Sequence, residues 1–228
     1  MGSGGSTGTA PRSLAEMATV VRSDILKHLL FWLLLGLSTA WADREQIGPR
    51  EFVAGVPTQQ FVDFAAPQGQ GRQRMENWCW AACIQMVLNY HGLYISQEQI
   101  VSRVFGGMVD APGSPQQIMA ALQGWAPDSR GRFSQIEADS RNVDPASVIQ
   151  DLEYRWPLIV GLRGLQGPTG HAYVLTAVYY HLDNYNQPII YRVVLRDPYP
   201  TKSSRVEMSM EEFLNRCTFA TRVHVRRM

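Results

Sequence analysis

Nucleophilic chemistry in this chain starts from a cysteine, Cys79, and from the histidine and carboxylate that could serve it. Cys79 lies two residues after Asn77, a good helix N-cap, in the stretch NWCWAACIQMVLNYH. The first turn of a helix favours a thiolate over a thiol, because unsatisfied N–H groups and the macrodipole converge there. An attacking thiolate also needs a base and a third group to orient that base. His28 immediately precedes an apolar N-terminal run, His91 lies at the far end of the Cys79 helix, and His181 and His224 lie in or near strand-like runs. His171 differs, since it begins a strand directly after GPTG, where a loop can present it to a cleft. Asp197, in LRDP, ends the next strand, so an antiparallel neighbour would bring its carboxylate beside the imidazole.

The elements that must position these groups can be read from start and stop signals. The Cys79 helix is expected from Asn77 to Gly92, the latter a suitable C′ residue. Ser96 with Gln99 makes a capping box for a second helix, and Ser114-Pro115 with Gln117 for a third. Asp144-Pro145 opens a fourth, which Pro157 must end. Beyond Pro157 the pattern changes to PLIVGL, HAYVLTAVYYHL and PIIYRVVL, β-branched and aromatic runs with a turn at Asp183 to Asn186. A short helix from Ser209 to Cys217 and a last strand, FATRVHV, complete the chain. Residues 43 to 76 show no long period, and Gly69 and Gly71 mark a loop. Helices first and an antiparallel sheet afterwards describe an α+β domain over residues 43–228.

These residues resemble a family. Gln73 stands six positions before Cys79, and Trp80-Ala81 follow it, a spacing shared by papain-like cysteine peptidases. Gly170-His171-Ala172-Tyr173-Val174 is similar to their base strand. The resemblance is nearest to the short bacterial branch related to bacteriocin-leader peptidases and secreted effector proteases. It implies a papain-like fold, with an N-terminal helical half packed on a C-terminal antiparallel sheet. It also implies that Gln73 donates its amide to a tetrahedral oxyanion with the Cys79 N–H, that His171 is the base, and that Asp197 orients it. Where papain-like enzymes read C-G-S-C-W, this chain reads Glu76-Asn77-Trp78-Cys79-Trp80. The Asn-Ser-Trp that usually follows the base strand is missing too.

Composition bounds what else is possible. The 228 residues carry 21 Lys+Arg against 20 Asp+Glu, a balance that argues against nucleic acid as a partner. Arg22 and Lys27 precede an apolar run from Leu29 to Leu37 and a small-residue Ala40-Trp41-Ala42 ending, the layout of a secretory signal peptide. The run is short of the roughly 20 residues a transmembrane helix needs, so cleavage after Ala42 and a secreted or periplasmic protein without stable membrane insertion are expected. In such a compartment the simplest partition of Cys79, Cys83 and Cys217 pairs the last two and leaves Cys79 free. Cys79, Cys83 and His91 lack a fourth ligand at zinc-site spacing, so no metal and no cofactor are expected. The expected activity is hydrolysis of a protein or peptide substrate through a Cys79 thioester. An acyltransferase or transglutaminase using the same groups, or an inactive binding module on the same scaffold, are the alternatives.

Overall fold

Ser96, Ser114 and Asp144 each act as their spacing predicts. In the computed structural model Ser96 and Ser114 close reciprocal capping boxes with Gln99 and Gln117, and the Asp144 carboxylate accepts from the Ser147 amide. The structure describes residues 44–65, 71–124, 134–140, 144–164 and 170–227, all within one unit, Ala42–Met228. The expected signal peptide, Gly69 and residues 167–169 of the GPTG turn lie outside the described residues.

Among the described residues there are six helices: α1 (Thr58–Ala65), α2 (Cys79–Tyr90), α3 (Gln97–Phe105), α4 (Pro115–Leu122), α5 (Pro145–Glu153) and α6 (Met210–Arg216). The strands are β1 (Arg44–Gly48), β2 (Glu51–Gly55), β3 (Ser134–Ser140), β4 (Leu158–Arg163), β5 (Gly170–Leu182), β6 (Pro188–Arg196), β7 (Arg205–Ser209) and β8 (Cys217–Arg227). They form one sheet, antiparallel throughout. β5 is its axis. One edge of β5 pairs with β4 over Gly170–Leu175 and then with β2 over Ala177–His181. The other edge pairs with β6, which continues to β7.

The fold is α+β, as expected, but helices cover both faces of the sheet. Helices α1 to α4 pack with Ile159, Ala172 and Val174 in one core. Helices α5 and α6 pack with Leu158, Val160, Tyr173 and Leu175 in the other. Burial on two faces explains why PLIVGL and HAYVLT read as unbroken apolar runs rather than as alternation. Buried Asp151 of α5 holds Arg222 of β8 through both carboxylate oxygens, which fixes α5 across that face. Among the described residues no helix is long and apolar enough to cross a membrane.

Two expectations are corrected. The sheet does not wait for the helices: the hairpin β1–β2 precedes them all, and β3 falls between α4 and α5. The Cys83–Cys217 bridge is absent, and all three cysteines are free thiols. The reason is topological, for Cys83 is buried in the α1–α4 core while Cys217 packs against the α5–α6 core.

Candidate active site

Cys79 is the first residue of α2, and the cap before it is Trp78 rather than Asn77. Asn77 is held elsewhere: its backbone N–H donates to Asp110 Oδ1 at 2.8 Å and its side-chain amide faces the Asp110 carbonyl. No side chain caps α2, and its first backbone bond runs from Ala82 N to Trp78 O. The N–H groups of the first turn, that of Cys79 included, therefore have no capping side chain as acceptor, and Cys79 itself lines the cleft. The other end closes in a Schellman turn, with Gly92 at φ +86° and Leu93 N donating to Leu88 O.

Two buried tryptophans seat this helix start. The indole N–H of Trp78 donates to Val109 O at 2.8 Å and that of Trp80 to Ala111 O at 3.1 Å. Gly113 lies flat against the Trp80 ring, where a Cβ would come within 2.6 Å of it. The segment from Val109 to Gly113 is thereby fixed over the N-terminus of α2, with Pro112 on the cleft wall.

His171 is the second residue of β5 and Asp197 follows the last residue of β6, its antiparallel neighbour. The strand order thus delivers the pair that the sequence suggested: His171 Nε2 lies 2.8 Å from Asp197 Oδ1. That leaves the other ring nitrogen, Nδ1, for Cys79, which lines the same cleft and acts electrostatically on the imidazole. Burial alone would push the imidazole toward neutrality. The Asp197 carboxylate, and then the Cys79 sulfur, outweigh it and lift His171 to about 9. Asp197, only 3% exposed, also accepts from Tyr199 N at 2.8 Å, so its position does not depend on the histidine. The rings of Tyr173 and Tyr199 flank the imidazole edge-on. Burial raises the Cys83 thiol well above its ordinary range and carries Cys217 to about 11, so neither competes as a thiolate.

Gln73, Cys79 and His171 line one open cleft of about 830 Å³, together with Glu76, Arg163, Lys202 and Arg216. Gln73 is buried, and its Nε2 spends its hydrogens on the carbonyls of Met75 (3.1 Å) and Glu76 (2.8 Å). Its Oε1 is buried without a partner. The side chain therefore stands at the expected place with its donor turned to its own loop.

Two positioning residues escaped sequence reasoning. Arg72 donates to the carbonyls of Asp197 (2.7 Å), Tyr199 (3.0 Å) and Lys202 (3.1 Å), while Gln73 N donates to Pro198 O. Gln97, fully buried, donates to Arg72 O and accepts from Arg74 N. Together they stitch the Gln73 loop to the Asp197 loop. Nothing in the local sequence marks either residue, since each acts on backbone far away in the chain.

Residues 57–223 match the model of a family described as the Peptidase_C39 like family. No curated protein matches the chain. Among solved structures, the peptidase domain of Streptococcus ComA, a bi-functional ABC transporter involved in quorum sensing, is 17% identical. It covers 69% of this chain and 96% of its own, with a TM-score of 0.46. The peptidase domain of Streptococcus mutans ComA is 18% identical, covers 67% and 96%, and has a TM-score of 0.40.

Proposed function

The chain belongs to the Peptidase_C39 like family, and on that premise we propose that it is an exported cysteine peptidase whose nucleophile is Cys79. Membership agrees with the resemblance to papain-like cysteine peptidases and makes peptide bonds the expected target. One observation carries the residue assignment: His171, bonded to buried Asp197 at 2.8 Å, lines the same cleft as Cys79 at the start of α2.

In the proposed reaction, imidazolium His171 and the Cys79 thiolate form the resting pair. The sulfur adds to the scissile carbonyl, and the oxyanion is held by the Cys79 N–H at the uncapped start of α2. Gln73 contributes its amide once substrate draws one hydrogen from the weaker bond, that to Met75 O. His171 protonates the departing amine, and a water deprotonated by the now neutral imidazole then hydrolyses the thioester. Asp197 keeps the imidazole oriented and favours its charged form throughout.

Two measurements test this reading. Iodoacetamide should alkylate Cys79 ahead of Cys83 and Cys217, and Cys79→Ala should remove peptide cleavage while keeping the far-UV spectrum. Undiminished cleavage by a folded Cys79→Ala chain would sink the assignment. Export is supported by the charge, apolar and small-residue pattern of residues 22–42. N-terminal sequencing of protein recovered outside the cytoplasm should then begin at Asp43, and retention of residues 1–42 on that protein would contradict cleavage.

A further inference from the structure

Away from the cleft, two arginines meet at a single hydroxyl. Arg196 ends β6 and Arg205 begins β7, and the two are register partners across the hairpin. Arg196 Nη2 donates to Thr58 Oγ1 at 3.2 Å, and Arg205 Nη1 donates to the same oxygen at 2.8 Å. With both acceptor positions used, the Thr58 O–H is free to donate outward.

The two cations are not equally compensated. Arg205 has the Glu207 carboxylate against its Nε and Nη2. Arg196 is only 3% exposed, has Nε buried without a partner, and has no carboxylate partner among the described residues. A buried charge is ordinarily paired, and like charges set opposite one another in a sheet repel. Burial, and then the charge of Arg205, bring even this guanidinium down to about 10. Thr58 is also the first residue of α1, whose first turn carries no acidic residue. Beside Arg205 and Thr58 lies a cavity of about 280 Å³, walled by both together with Val194 and Arg44; Arg196 does not line it and meets it only through its bond to Thr58. That is below the roughly 300 Å³ at which pockets for drug-sized ligands begin. Glu45 on its wall and Glu207 at Arg205 restrict the anion to the arginine side.

We propose that Arg205 and Thr58, with buried Arg196 bonded to Thr58 from within, form a binding site for one small oxyanion, a phosphate or a carboxylate. The bound group accepts the Thr58 hydrogen and sets a negative charge one hydroxyl away from Arg196, which lacks one. It also removes the repulsion at the base of the loop that carries Asp197. The site stands whether or not Cys79 is the nucleophile.

Thermal unfolding of the full chain tests it, with inorganic phosphate or acetate compared against sodium chloride at equal ionic strength. The expected result is a saturable rise in midpoint with an oxyanion and none with chloride. A response to phosphate alone assigns a phosphate group, and one to acetate alone assigns a carboxylate. Arg196→Met should melt no lower than the parent in chloride and lose the rise. Arg205→Gln, which leaves the interior intact, should need at least tenfold more oxyanion for half the rise and decides the matter if Arg196→Met does not fold. The proposal is overturned if neither oxyanion acts differently from chloride, or if the folded variants respond as the parent does.

Discussion

His171 carries the pH dependence of the candidate site. Its folded value of about 9 lies above its ordinary 6.5. Its charged form therefore stabilises the fold fully below about pH 6.5, and that contribution is lost as pH rises through 9. In the proposed reaction the same proton goes to the leaving amine, so kcat/KM should fall on the alkaline side near pH 9. Asp197→Asn keeps the side-chain shape and removes the charge. The alkaline limb should then move toward neutrality, with kcat lowered by at most the roughly 10²–10⁴ that a positioned acid–base group supplies. A kcat/KM profile with NMR titration of the ring checks this, and an unmoved limb would show that the carboxylate does not set the proton affinity. That Cys79 would open a helix and that His171 and Asp197 would meet at adjacent strand ends was legible, because these are local signals. The turn of the Gln73 amide toward Met75 and Glu76 was not legible, nor was the loss of Asn77 to Asp110. Both are decided by partners that only the folded loop supplies.

At the scale of elements, the start of α2 depends on the segment above it. Gly113→Ala would place a methyl 2.6 Å from the Trp80 ring, which is buried and bonded to Ala111 O and so cannot swing away. Overpacking of this kind costs about 1–3 kcal/mol. Chemical denaturation should show a loss in that range, accompanied by reduced turnover because Cys79 adjoins the displaced ring. A loss of stability with turnover intact would mean that the segment supports the core but not Cys79. Helices α3 to α5 were readable from S-x-x-Q and Asp-Pro signals, which act within one turn. β1, β2 and β7 were missed, being five residues each, with charged positions and little apolar period. Such strands exist because a neighbour offers them backbone bonds, and that information lies elsewhere in the chain.

For the molecule as a whole, the α+β class followed from the change of pattern at Pro157, whereas two-sided coverage of the sheet did not. An unbroken apolar run says that a strand is buried, not by which helices. The hairpin β1–β2 shows what this leaves hidden. It precedes the residues matched by the family, which begin at 57, and it occupies the part of β5 that β4 does not reach. Without it, the backbone N–H and C=O groups from Ala177 to His181 on that side would face solvent as a bare, apolar border. Such a border is a template on which another chain can grow a strand. β1 is a poorer template, since it is only five residues long and begins Arg44, Glu45, Gln46. A chain lacking residues 44–55 should therefore elute earlier than the parent in size-exclusion chromatography, increasingly so with concentration; an unchanged elution volume would refute this. On that expectation the hairpin guards β5 against self-association, a contribution separate from catalysis.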